Sequence, residues 1–153
     1  MPDSWLASFP GVREHEPLVD HSWYRIGGRA RYFLEVADDA VLPDLVARLH
    51  HNQIPLLVIG AGSNTLFAGA ELSGLTIKLA TERRATAGDR VTVSAGTLMP
   101  RLAAESPKDG PAGPELAAGV PGPVGASVHR NARAPPRAAA RAPLPTEVPA
   151  PAG

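Results

Sequence analysis

The 153-residue chain has no cysteine, which excludes disulfides, thiolate metal sites and cysteine nucleophiles. It has no excess of charge of either sign. Lys+Arg and Asp+Glu both number 15, so the formal net charge is zero. Neither a nucleic acid nor a membrane surface would be drawn to it by net charge, and any ligand must be recognised locally. No apolar run approaches the roughly 18 residues that a membrane-crossing helix needs. The opening stretch MPDSWLASFPGVREHEP has neither a basic start nor a long apolar centre, and so lacks the pattern of a signal peptide. These absences fit a cytoplasmic protein, without proving one.

What is present begins with apolar residues, at 44% enough for a packed core in one ordinary domain. Proline is abundant: 17 residues, about twice the ordinary usage of roughly 5%. These prolines crowd into the last third. Residues 1–17 read as a loose leader. Arg31-Tyr32-Phe33-Leu34-Glu35-Val36 has the aromatic and branched composition of a strand. Asp38-Asp39 suit a helix start, where carboxylates meet orphan amides, and Val41, Leu42, Leu45, Val46 and Leu49 then fall on one helical stripe. Pro43 lies early in that helix, where a missing amide costs least. His50-His51 at its end complement the helix dipole.

Ile54 to Ile59 is almost wholly apolar and reads as a strand buried on both faces. Gly74 to Leu79 reads as an alternating strand, and Arg90 to Ala95 as a third, reached through the Ala87-Gly88-Asp89 turn. Gly96-Thr97 then caps a helix from Leu98 to about Glu105, with Pro100 in its first turn. Strand, helix, strand, loop, strand, strand, helix is the order of a mixed helix-and-sheet domain. Beyond Ser106 the chain turns rich in glycine and proline. From Asn131 onward it is more than half Ala and Pro, with too little apolar surface to offset the entropy of ordering. Residues 132–153 are therefore expected to be a disordered tail.

Three glycine clusters stand out. Leu57 to Thr65 reads LVIGAGSNT, a branched apolar run that ends in Gly60-Ala61-Gly62-Ser63-Asn64. Such a loop is either a plain tight turn or a backbone cradle for a phosphate, in which converging amides are approached without side-chain obstruction. Ser63 and Asn64 can add donors. The loop follows a buried strand, where α/β proteins place ligands, but it matches neither a Walker loop nor a GxGxxG fingerprint. Tyr24-Arg25-Ile26-Gly27-Gly28 precedes it, and Gly119-Val120-Pro121-Gly122-Pro123-Val124-Gly125 follows. Alone, the first of these is an ordinary bend and the second an ordinary turn.

Taken together and in this order, HSWYRIGGRARYF, PLLVIGAGSN, GLTIKL and ELAAGVPGPVGASVHRN resemble the flavin-binding part of the UDP-N-acetylenolpyruvoylglucosamine reductases, also called UDP-N-acetylmuramate dehydrogenases. The resemblance runs from about Leu18 to Asn131. It implies an α+β fold of the vanillyl-alcohol-oxidase / PCMH type, with residues 18–131 as a partial FAD-binding domain. It also implies FAD as cofactor, NADPH as co-substrate, and reduction of the UDP-sugar enolpyruvyl ether to UDP-N-acetylmuramate for peptidoglycan. By this resemblance Gly60, Ala61, Gly62, Ser63 and Asn64 wrap the FAD pyrophosphate. Gly119, Val120, Pro121, Gly122, Val124 and Gly125 line the flavin, and Ile26 and Gly27 pack close to it. A monomer is expected, without nucleic-acid, membrane or metal partners.

The chain also departs from the family pattern. Pro111 and Pro114 replace two expected leucines, removing apolar anchors and two amides, and Pro123 stands where a small hydroxyl residue is usual. After Asn131 the pattern NAGAYG is replaced by NARAPP. The family's catalytic Tyr-Arg-x-Ser stretch occurs nowhere in the 153 residues, so no catalytic residue is assigned and the substrate-binding domain is taken as absent. The abrupt Ala/Pro/Arg-rich ending suggests a truncated or frameshifted member, with weak FAD affinity or none. Two other readings stand beside this: a decayed or stand-alone nucleotide-binding module, and an oxidase-type flavoprotein of the same fold. The remaining residues read plainly. The histidines lack metal-ligand spacing, Arg83-Arg84 reads as a solvated loop, and Trp5, Trp23 and Tyr32 read as packing residues rather than stacking platforms.

Overall fold

The computed structural model describes residues 3–88, 90–105, 119–130 and 132. Strand β1 (Val12–Pro17) runs antiparallel to β2 (Arg29–Val36), with Val12 opposite Leu34. Helix α1 (Leu42–His51) leads to β3 (Leu56–Ile59), and β4 (Glu71–Leu79) lies parallel to both β2 and β3. The sheet order is β1-β2-β4-β3. A hairpin of β5 (Arg84–Ala87) and β6 (Arg90–Val93) forms a separate two-stranded sheet. Two short helices follow, α2 (Met99–Ala104) and α3 (Val124–His129).

The sheet separates two apolar clusters. On one face Tyr32, Leu34, Val36, Leu75 and Ile77 pack with Leu45 and Leu49 of α1 and with Leu6. On the other, Leu18, Ala30, Phe33, Ile59 and Phe67 close together. Alternation along β2 is what sends Phe33 to one side and Tyr32 and Leu34 to the other.

Several expectations are corrected. Residues 3–17 are not a loose leader. Leu6 is fully buried under a 3-10 turn (Ser4–Ser8), and β1 completes the sheet. The apolar run of β3 is not buried on both faces. It is the sheet edge, and Leu56, Leu57 and Val58 are 37%, 39% and 53% exposed. The central position belongs to β4, where Gly74 to Ile77 are all buried. On α1, Leu45 and Leu49 face the core, whereas Val46, and Val41 just before the helix, stay exposed.

The α2 N-cap is Leu98, not Gly96-Thr97, and Pro100 does sit in its first turn. Arg84 opens β5, while Arg83 pairs with Asp38 and Asp39. Trp5 and Tyr32 pack as expected, Trp5 edge-on to Phe9, but Trp23 is 76% exposed. His50 and His51 occupy the last turn of α1. Pro111, Pro114 and the tail after Ala132 lie outside the described residues.

Candidate functional site

The glycine loop leaves the sheet at the carboxyl ends of the parallel strands β3 and β4, the edge where open α/β sheets place ligands. Ile59 anchors its start, buried against the Phe33 cluster. Gly62 then turns the chain with φ +69, and a Cβ there would stand 1.9 Å from the His21 carbonyl oxygen. Only glycine satisfies both demands. Among the described residues, no protein acceptor receives the backbone N–H of Ala61, Gly62, Ser63 or Asn64. Four consecutive uncommitted amides on a left-handed turn form the kind of concavity that holds phosphate oxygens.

The loop is held from two sides. On one, the Trp23 N–H donates to the Gly62 carbonyl at 3.1 Å, and Ser22 Oγ donates to the Thr65 carbonyl at 3.0 Å. The segment then continues beside residues 67–70. An added Cβ on Gly27 would come within 3.0 Å of Phe67 Cβ, and one on Gly28 within 2.2 Å of the Ala70 oxygen. His21 fixes the base of this segment: its ring stacks on Phe33 at 4.2 Å, and its Nε2 lies 2.9 Å from Glu16 Oε1.

On the other side is the late glycine cluster. A Cβ on Gly60 would meet Pro123 Cγ at 2.7 Å, so the first loop glycine is needed for the Pro123 ring to pack. Gly122, at φ +102, lies against Ser63, its added Cβ 3.7 Å from Ser63 Oγ. Arg130, just past α3, donates to the Asn64 carbonyl at 3.2 Å.

The fold thus brings all three glycine clusters to one place, with different parts to play. Gly60 and Gly62 are close-packing positions. Gly119 and Pro121 are exposed, and Val120 is buried. The amides of Val124 and Gly125 are already used, donating to the Thr97 and Ala95 carbonyls at 2.8 Å each. Those two residues therefore act as a brace and offer no amide to a ligand. Ile26 is 61% exposed and Gly27 is half-buried beneath it.

Sequence reading missed Ser22, Trp23 and Arg130. The only signal for the first two was their place just before the Ile26-Gly27-Gly28 bend, and for Arg130 there was none. Two cavities flank the loop and share Ala61. One, of about 420 Å³, involves Asp20, Trp23 and Arg25, and the other, of about 170 Å³, involves Lys78, Leu98 and Pro123.

Glu82 borders the smaller cavity and is paired with Arg101. Hydrogen bonding to Glu105 and Glu82 raises the Arg101 guanidinium above its ordinary range. The Glu105 carboxyl is correspondingly lowered by Arg101. Among the described residues no group of three His, Asp or Glu side chains could hold a metal, and no helix is long and apolar enough to cross a membrane.

A family model described as "FAD binding domain" matches residues 30–139. UDP-N-acetylenolpyruvoylglucosamine reductase 2 of Symbiobacterium thermophilum is 38% identical over 128 residues, which cover 82% of this chain and 42% of that protein. The reductase of Bacillus velezensis is 37% identical over 125 residues, 80% of this chain and 41% of the relative. The crystal structure of UDP-N-acetylenolpyruvylglucosamine reductase from Thermus caldophilus superposes with a TM-score of 0.59 at 30% identity, over 76% of this chain and 41% of that one. The chain spans about two fifths of the length of the curated relatives it matches. The α+β expectation is borne out. With more than half its residues inside the family model, this chain belongs to the FAD binding domain family.

Proposed function

We propose that the chain holds FAD, with the pyrophosphate on the amides of Ala61 to Asn64, as the cofactor-binding part of a UDP-N-acetylenolpyruvoylglucosamine reductase. The observation that carries this is the run of four uncommitted amides at Gly62, set at the sheet edge of a chain in the FAD binding domain family. The residues suit the group. A left-handed glycine lies within the loop, and Ser63 can add a hydroxyl donor. Ser22 and the Trp23 amide hold the loop in shape before the ligand arrives. Ile26, Gly119, Val120, Pro121 and Gly122 border the same region. Pro123 contributes no donor, so binding is weaker than in a loop with a hydroxyl residue there.

Bound FAD would supply a two-electron carrier between NADPH and the enolpyruvyl ether of the UDP-sugar. In that reading the protein works in the cytoplasm as a monomer, on a small-molecule substrate, and serves peptidoglycan synthesis and so cell shape and division. None of the described residues is assigned the proton donor, and the described residues bind and orient without taking part in proton transfer. The same observations fit a module that binds FAD without turnover.

Equilibrium dialysis of the purified chain against FAD tests the reading. One flavin retained per chain, and loss of retention in Gly62→Ala, is the expected result. A wild-type chain that retains no flavin at any concentration refutes it. NADPH oxidation with the UDP-sugar substrate then separates enzyme from binding module.

A further inference from the structure

We infer that His21 is a proton-sensitive clamp on the glycine loop: carrying one proton, on Nε2, it holds the loop in shape, and a second, on Nδ1, releases it. The clamp itself needs no ligand, and only its effect on cofactor affinity rests on the FAD reading above.

His21 is gripped on three sides. Its side chain is 9% exposed, and its ring stacks on Phe33 of β2 at 4.2 Å. Its Nε2 lies 2.9 Å from Glu16 Oε1 of β1. Its main-chain carbonyl is pressed against Gly62, 1.9 Å from the place of a Cβ there. The two residues after it carry the bonds to the loop. Ser22 Oγ donates to the Thr65 carbonyl, and the Trp23 N–H donates to the Gly62 carbonyl. Where the His21 ring sits thus fixes where Gly62 sits.

The two ring nitrogens differ. A carboxylate only accepts, so Nε2 carries the proton that meets Glu16. Nδ1 is then a bare acceptor, buried and without a hydrogen-bond partner among the described residues. A second proton turns it into a buried donor with nothing to receive it, and an unmet donor on a charged ring is costly. The charged neighbours do not offset this. Arg13 Nη2 lies 3.3 Å from the same Glu16 Oε1, so two cations would share one oxygen. Arg13 is also 3.8 Å from Glu35 of β2, which lies 3.5 Å from Lys78 of β4. His15, next to Glu16 on β1, is paired with Glu71. Asp20, on the same 3-10 turn as His21, forms no hydrogen bond to Nδ1. Arg25, across the cavity, is a further cation. Residues 60–67 of the loop carry no titratable side chain.

One relief is open to the doubly protonated ring. His21 borders the cavity of about 420 Å³. Turning out of the Phe33 stack into that space gives the Nδ1–H water as an acceptor. The same turn breaks the Glu16 contact and draws the His21 carbonyl away from Gly62. The amides of Ala61 to Asn64 then lose their fixed curvature, and a phosphate on them is held less well. Neutral solution favours the tight loop, and mildly acid solution the open one.

The test is an NMR titration of the full, isotope-labelled chain from about pH 8 to about pH 5.5, a range that spans ordinary histidine titration and stays above that of carboxylates. The Gly62 and Trp23 amide signals should shift in step with the His21 ring signals. Over the same range FAD binding should weaken roughly tenfold, the effect of one proton over one pH unit. His21→Gln keeps an amide donor for Glu16 but takes no second proton, and should abolish both changes while His15, His50, His51 and His129 still titrate. Loop amides that follow His21 without FAD being retained at any pH uphold the clamp and refute the flavin reading. Loop amides that stay still as His21 titrates, or a His21 ring that does not titrate in this range, overturn the clamp, and FAD retention then leaves the flavin reading standing. An equal pH response in His21→Gln overturns the clamp as well. Should that variant not fold, the wild-type titration alone decides. Still amides together with no FAD retention refute both readings.

Discussion

Gly62 carries two constraints that can be pulled apart. Its φ of +69 alone disfavours any side chain, and the His21 carbonyl 1.9 Å from the place of a Cβ forbids one without movement of the segment that clamps the loop. Gly88 has φ +60 but open space around it, and so shares the first constraint without the second. Gly88→Ala should cost about 1–2 kcal/mol, the cost of the left-handed conformation. Gly62→Ala should cost more, about 3 kcal/mol, at the upper end of ordinary point substitutions. Urea unfolding of both variants gives the comparison, and equal midpoints would show that His21 is not pressed against the loop. The glycine clusters are legible in the sequence, but the contacts that constrain them are only partly so. Gly60 reads as a phosphate position, yet its contact is the Pro123 ring, brought there from 63 residues away by the fold. Trp23 reads as a packing residue rather than a stacking platform, yet it is 76% exposed, and nothing local marks it so.

Elements were legible where periodicity decides and misread where position in the sheet decides. The Leu45–Leu49 part of the α1 stripe, β2 and the α2 proline are local patterns and came through. The exchange between β3 and β4 did not. Ile54 to Ile59 is more apolar than Gly74 to Leu79, yet β4 lies between two parallel partners and β3 at the edge. Strand order depends on the crossover through α1, which composition does not encode. The leader was missed for the same reason: β1 has a polar, exposed sequence and is a strand because β2 offers it an edge. The sheet order makes a direct prediction. Ile77, 1% exposed between α1 and the neighbouring strands, should cost about 2–5 kcal/mol when changed to Ala. Val58, 53% exposed on β3, should cost well under 1 kcal/mol for the same change. Denaturant midpoints at unchanged slope measure both, and a large loss at Val58 would mean that the edge is covered.

Among the described residues, many of the ion pairs are exposed. Arg83 with Asp38 and Asp39, Arg101 with Glu82 and Glu105, and Arg13 with Glu35 all lie at the surface. Exposed pairs of this kind add little, and salt screens what they add. The Glu105 carboxyl, lowered by Arg101, favours the folded state above the ordinary carboxylate range and loses that contribution as the pH falls through its own lowered value. Stability therefore rests on the two apolar clusters flanking the sheet, and the glycine loop is tied to them through Ile59 and through the His21–Phe33 stack. On the proposed reading, a ligand that closes on the loop binds only the folded chain, because the loop is shaped only there. At a hundred times its dissociation constant, FAD should add about 2.7 kcal/mol to stability. For a domain of this size that is a rise in Tm of roughly 5–11 °C. Raising NaCl without FAD should move Tm far less. Thermal unfolding with and without FAD, in low and high salt, checks both statements. A salt effect larger than the FAD effect would place the stability in the ion pairs and take the loop out of the account.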